Sequence, residues 1–107
     1  MARSAEELRD ILDRTVQEAR RHFDVTAAYL FGSYANGDPH EWSDIDVALF
    51  SPVAEELTLE DKVKHLARIR LAIDAEVELH LYSDKRLTAS KPASMSAYIL
   101  ATGRKIA

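Results

Sequence analysis

Residues 30–50, LFGSYANGDPHEWSDIDVALF, hold the side chains best suited to chemistry. Asp44 and Asp46 are separated by one residue in the run Ser43-Asp44-Ile45-Asp46-Val47-Ala48-Leu49-Phe50, which predicts a β-strand. In a strand, Asp44, Asp46 and Ala48 share one side, while Ile45, Val47 and Leu49 share the other. The two carboxylates then stand side by side, roughly 6–7 Å apart at Cα from twice the strand rise. Like charges this close destabilise each other unless something neutralises them. Mg²⁺ is suited to that task, because it takes hard oxygen ligands and binds through one or two carboxylates plus substrate phosphates. Upstream, Leu30 and Phe31 end an apolar run that Gly32-Ser33 breaks. Asn36-Gly37-Asp38-Pro39 is turn chemistry, since Gly and Asn tolerate positive φ and Pro fixes φ. The competing interpretation is a hairpin-like connection whose aspartates only decorate a solvated face.

A second acidic strand supplies further candidates. Residues 76–82, EVELHLY, alternate strictly and predict a half-buried strand. Val77, Leu79 and Leu81 face the core, while Glu76, Glu78 and His80 share the opposite face. His80 reads as a base or a supporting partner on one view, and as an edge or surface histidine on the other.

Gly32-Ser33, ten residues, then Asp44-Ile45-Asp46 resembles the signature of the minimal nucleotidyltransferases, within the DNA polymerase β-like nucleotidyltransferase superfamily. The resemblance is close over residues 28–50. It is looser over the whole chain, in the order helix–strand–turn–strand–helix–strand–helix. It implies that Gly32 and Ser33 hold a nucleoside triphosphate. Elementary chemistry agrees: glycine permits close approach, and a hydroxyl with backbone N–H groups offers neutral donors to phosphate oxygens. Ser33 alternatively caps a short helix through Asn36 that Gly37 ends; free N–H groups at such a start also favour anions. The resemblance further implies a third carboxylate beside the aspartate pair, with Glu78 the first choice and Glu76 the second. Asp44, Asp46 and Glu78 are then the catalytic residues and ligands of Mg²⁺ (or Mn²⁺). Three positions depart from the family's usual pattern: Asn36 stands where Arg or Lys is common, Glu78 where Asp is typical, and Thr102 where Glu is frequent.

By the same resemblance, the expected reaction transfers AMP from ATP to a hydroxyl. Chains of this kind resemble the antitoxin half of toxin–antitoxin pairs whose toxin is an all-helical HEPN ribonuclease. Some of those antitoxins transfer AMP to a tyrosine of the toxin. Because this sequence stops after the catalytic fold, its acceptor is expected on a partner protein or a second copy. Tyr34, Glu41 and Trp42, between the two motif halves, are expected at the docking rim. Two other classes stay open: a binding module that keeps the fold without catalysis, and an ATP sensor that transfers nothing.

The rest of the chain must position these residues. Its 107 residues suit one domain, 1–107, able to bury roughly two-thirds of its unfolded surface. The absence of cysteine excludes disulfides and thiolate metal sites and fits a cytoplasmic location. No apolar run has membrane-spanning length, and the N-terminus lacks a signal-peptide core, so no membrane association is expected. A net charge of −4 argues against nonspecific nucleic-acid binding.

Ser4 and Glu7 form a capping box that opens a helix over 4–22, with Leu8, Ile11, Leu12, Val16 and Ala19 as its stripe. A strand follows over 25–31. Ser51-Pro52 ends the next strand. A second helix is expected over 58–74, burying Leu59, Val63, Leu66, Ala67, Ile69 and Ile73. A last helix over 91–101 ends near a C-cap Gly103, before a short strand over 104–106. The expected fold is α+β: a two-layer nucleotidyltransferase fold, with a small mixed sheet and helices packed mainly on one face.

Overall fold

The Ser4 hydroxyl accepts the Glu7 N–H at 3.1 Å and starts α1, Ala5–His22. Glu6 and Glu7 lie in the first turn and Arg20, Arg21 and His22 in the last, both complementing the helix dipole. Ile11, Leu12, Val16 and Ala19 are buried as their spacing requires. Thr15 is buried with them because its hydroxyl donates to the Ile11 carbonyl at 2.7 Å. The chain is represented by a computed structural model that describes residues 3–37, 39, 44–73 and 76–107.

Four strands follow from the alternation: β1 Ala27–Phe31, β2 Ile45–Ser51, β3 Val77–Ser83 and the two-residue β4 Arg104–Lys105. They form one sheet in the order β3-β2-β1-β4. β1 pairs antiparallel with β2 and β4, whereas β2 and β3 run parallel. The sheet is therefore mixed, and the fold is α+β as expected. The parallel pair needs a crossover, which is provided by a 3₁₀ turn over Pro52–Glu55 and then α2, Leu59–Ile73. Two short helices complete the chain, α3 Arg86–Ala89 and α4 Met95–Thr102.

The two faces of the sheet have separate cores. Ile45, Val47, Leu49, Val77 and Leu79 join Ala28 and Leu30 beneath α1 and α2. On the other face, Ala27, Phe31, Ala48 and Phe50 pack against Ile99, with Leu87 and Leu100 at the margin. The long helices thus lie on one face, and α3 and α4 contribute the smaller second cluster.

Two local expectations need correction, and a third, the Gly103 cap, holds. The α2 stripe is rotated: Ile69 and Ile73 are buried and Leu66 partly so, but Leu59 and Val63 are 77% and 58% exposed and Ala67 is exposed. Steps of four residues drift around a 3.6-residue turn, so 59, 63 and 67 walk away from the sheet while 66, 69 and 73 stay over it. Residues 33–37 form turns, with a single Asn36 N–H to Gly32 carbonyl bond of 3.0 Å in place of a short helix. Gly103 does end α4, donating to the Ile99 carbonyl at 2.7 Å, but with φ −80°. Glycine is required there by space: a Cβ would lie 2.6 Å from the Ile99 oxygen and 2.9 Å from that of Leu30.

Candidate functional site

The site is built where β1 ends and β2 and β3 begin. The register pairs Phe31 with Asp46 and Asp46 with Glu78. Alternation then puts Phe31, Asp46 and Glu78 on the sheet face opposite α1 and α2, and Ala48 and His80 follow two residues on. Asp44 lies just before β2 and is exposed; Asp46 is partly buried; Glu78 is exposed on β3, an edge strand.

Gly32 explains how the turn reaches this cluster. Its φ of +77° is left-handed, a region that residues with a Cβ rarely occupy. A Cβ on it would also collide with the Asp46 carboxylate. The turn backbone is therefore laid directly against one of the two aspartates. Ser33 follows, half-buried. It does not act as the cap of a helix, because the Asn36 N–H that such a cap would take is bonded to the Gly32 carbonyl. Asn36 itself is exposed.

The carboxylates sense each other. Burial raises the Asp46 carboxyl above its ordinary value of 3.8; His80 opposes this, and Asp44 and Glu78 add to it. His80 is thus part of the cluster. It is half-buried and sits edge-on to Phe31, ring centroids 5.1 Å apart. The signal for it was present in the sequence, since it shares Glu78's side of an alternating strand. Its ambiguity came from not knowing that Phe31 would flank it. Glu76, the second choice for the third carboxylate, is exposed ahead of β3 and contributes its carbonyl to the Ile45 N–H at 2.9 Å.

Among the described residues, no group of three or more His, Cys, Asp or Glu is placed to hold a metal ion by itself. The three carboxylates form an open cluster. Such a donor set suits Mg²⁺, which keeps several waters and takes one or two carboxylates together with substrate phosphates.

The rim expected to carry a docking partner is only partly described. Tyr34 is not on it: the residue is 7% exposed, lies in the core beneath the sheet, and its hydroxyl accepts the Arg3 N–H at 3.3 Å. Its neighbours in the turn are polar or small, so nothing local marked it as a core residue. Glu41 and Trp42 lie outside the described residues. Among those that are described, no helix is long and apolar enough to cross a membrane.

A family model for the nucleotidyltransferase domain matches residues 12–100. No curated protein matches the chain. Among solved structures, the fold is similar to that of a protein of Sulfolobus solfataricus assigned to the nucleotidyltransferases, with a TM-score of 0.62 and 24% identity over 81% of this chain and 80% of that one. It is also similar to a chain in a toxin–antitoxin structure with AMP-PNP, with a TM-score of 0.60 and 24% identity over 87% of this chain and 69% of that one.

Proposed function

The chain belongs to the nucleotidyltransferase domain family, and we propose that it transfers AMP from ATP to a hydroxyl of a partner protein, acting as the antitoxin of a toxin–antitoxin pair. The observation that carries the transfer reading is the Gly32 backbone lying against Asp46, which is itself in register with Glu78. A phosphate chain received at the Gly32-Ser33 turn would meet the acidic cluster at once. The toxin–antitoxin neighbour supports the antitoxin role and a protein partner. A HEPN-type helical ribonuclease is the proposed partner.

Asp44, Asp46 and Glu78 would hold Mg²⁺ together with the triphosphate; when bound, such an ion supplies charge neutralisation and Lewis acidity at the phosphates. Ser33 Oγ and the backbone N–H groups of the turn would donate to phosphate oxygens. The partner's hydroxyl oxygen forms a bond to the α-phosphorus, the α–β phosphoanhydride bond breaks, and pyrophosphate leaves. Glu78, exposed like Asp44, would take the hydroxyl proton. Half-buried His80, packed edge-on against buried Phe31, would favour the charged form of Asp46.

The test is co-expression with the neighbouring gene's product, followed by mass spectrometry of that product after incubation with ATP and Mg²⁺. An AMP adduct on a hydroxyl residue is the expected result. Neutralisation of the partner without an adduct would replace the enzyme with a binding module, and ATP binding with neither would indicate a sensor.

A further inference from the structure

At the opposite end of the parallel β2–β3 pair lies a cleft of about 630 Å³. It is lined by cations from three separate segments: Lys62 of α2, Lys85 and Arg86 where β3 runs into α3, and Lys91 beyond α3. The one carboxylate in the lining, Glu55, is already engaged by Lys85 Nζ at 3.0 Å. Among the described residues, Lys62, Arg86 and Lys91 have no carboxylate within ion-pair distance. Arg86 is held in place instead by the Tyr82 ring, 5.6 Å from its guanidinium carbon, and by the Ser96 hydroxyl at 3.4 Å. Three unpaired cations around one cleft, in a chain of net charge −4, repel each other unless an anion joins them.

We propose that this cleft binds a compact oligophosphate anion, free or carried on a nucleoside, at a site separate from the acidic cluster. The proposal does not depend on the transfer reaction. The cations converge from different elements on one volume, within the range of small-molecule pockets of roughly 300–1,000 Å³. A strand of nucleic acid would instead be tracked by a long basic groove with free aromatic faces. Here the Tyr82 ring is stacked on Phe50, centroids 5.6 Å apart, and also carries the Arg86 guanidinium. The chain's overall negative charge also opposes a long polyanion. What the cleft offers is guanidinium and ammonium donors, the chemistry that recognises closely spaced phosphates.

The experiment is titration calorimetry with inorganic triphosphate, and with ATP, both without divalent metal and at low salt. The wild-type chain should bind triphosphate under these conditions. Lys62→Glu/Lys91→Glu should weaken this binding about tenfold or more, the scale of charge-assisted contacts, and Lys62→Arg/Lys91→Arg should retain it. Tighter binding of ATP than of triphosphate would assign the ligand to nucleotides; equal binding would assign it to the phosphate chain alone. Lys91→Gln, at an exposed position, gives the same readout if the double variant folds poorly. The proposal is overturned by no binding at millimolar triphosphate, or by binding that survives Lys62→Glu/Lys91→Glu. Tighter binding of a short single-stranded RNA than of triphosphate would overturn it too.

Discussion

The two ends of the β2–β3 pair carry opposite chemistry. Where the strands begin, Asp44, Asp46 and Glu78 gather beside the Gly32 turn. Where they end, Lys62, Lys85, Arg86 and Lys91 surround a cleft. The five residue steps from Glu78 to Ser83 span roughly 16 Å at the strand rise. That exceeds the screening length of about 8–10 Å at ordinary ionic strength. The two charge clusters therefore do not neutralise each other, and each keeps its own ligand preference. The lesson is that an overall charge of −4 describes neither end.

The sharpest way to break this contrast is to remove the acidic end. Asp44→Asn/Asp46→Asn should abolish transfer and the Mg²⁺-dependent part of the thermal shift with ATP. In the unsubstituted chain, ATP at ten times its dissociation constant should contribute about 1.4 kcal/mol by mass action, a shift on the order of 5–10 °C for a domain this size. Differential scanning fluorimetry reads both. An undiminished shift in the variant would move the metal–nucleotide site elsewhere.

Gly32→Ala should come next. The left-handed backbone alone costs roughly 1–3 kcal/mol with a Cβ present, and the Asp46 carboxylate must also be displaced. Lower stability with lost ATP binding is expected in denaturant and calorimetric titrations. Ser33→Ala isolates the phosphate contact. ATP binding should weaken by roughly 1–3 kcal/mol, the value of a charge-assisted hydrogen bond, with little change in nucleotide-free stability. Unchanged affinity with a large stability loss would make Ser33 structural.

Asp46→Asn without ligand should give the smallest effect, and one that depends on pH. Burial raises the Asp46 carboxyl above 3.8, so the folded chain holds this proton more tightly than the unfolded one. That contribution is fully present below pH 3.8 and is lost as pH rises through the folded value. Asparagine stays neutral throughout. The variant should therefore melt slightly higher than the parent at neutral pH and gain nothing below pH 3.8. A loss of stability at neutral pH would show that charged Asp46 is favoured by its surroundings.

Much of this was legible in the sequence because strand chemistry repeats every two residues. The alternation in β2 and β3 placed Asp46, Glu78 and His80 on one face, and the helical stripe of α1 named four of its five buried positions. The Gly-Ser turn and the aspartate pair were visible as residue types that tolerate unusual backbone or demand neutralisation. Depth and rotation were not legible. The apolar residues of α2 allow several rotations, and only packing on the sheet selects Ile69 and Ile73 over Leu59 and Val63. Tyr34 in a polar turn carries no local mark of burial. The 3₁₀ turn over Pro52–Glu55 and the four-residue α3 are too short for any periodicity to establish. The basic cleft was hidden for a different reason: its cations lie far apart in sequence, and each reads alone as a solvated surface charge.

The pairing of Asp46 with Glu78 also bears on how errors in assembly are rejected. Parallel strands have no tight hairpin to set their alignment, so β2 and β3 could meet one residue out of step. Such a slip would turn one strand over relative to the other. Glu78 and His80, or Asp46, would then be driven beneath α1 and α2, where an unpaired charge costs several kcal/mol. Val77 and Leu79, or Ile45 and Val47, would be left in water. The misaligned product is thus penalised twice, by the charge it buries and by the apolar surface it exposes. The acidic residues that suit this chain to phosphate chemistry would then act during folding as proofreaders of the sheet.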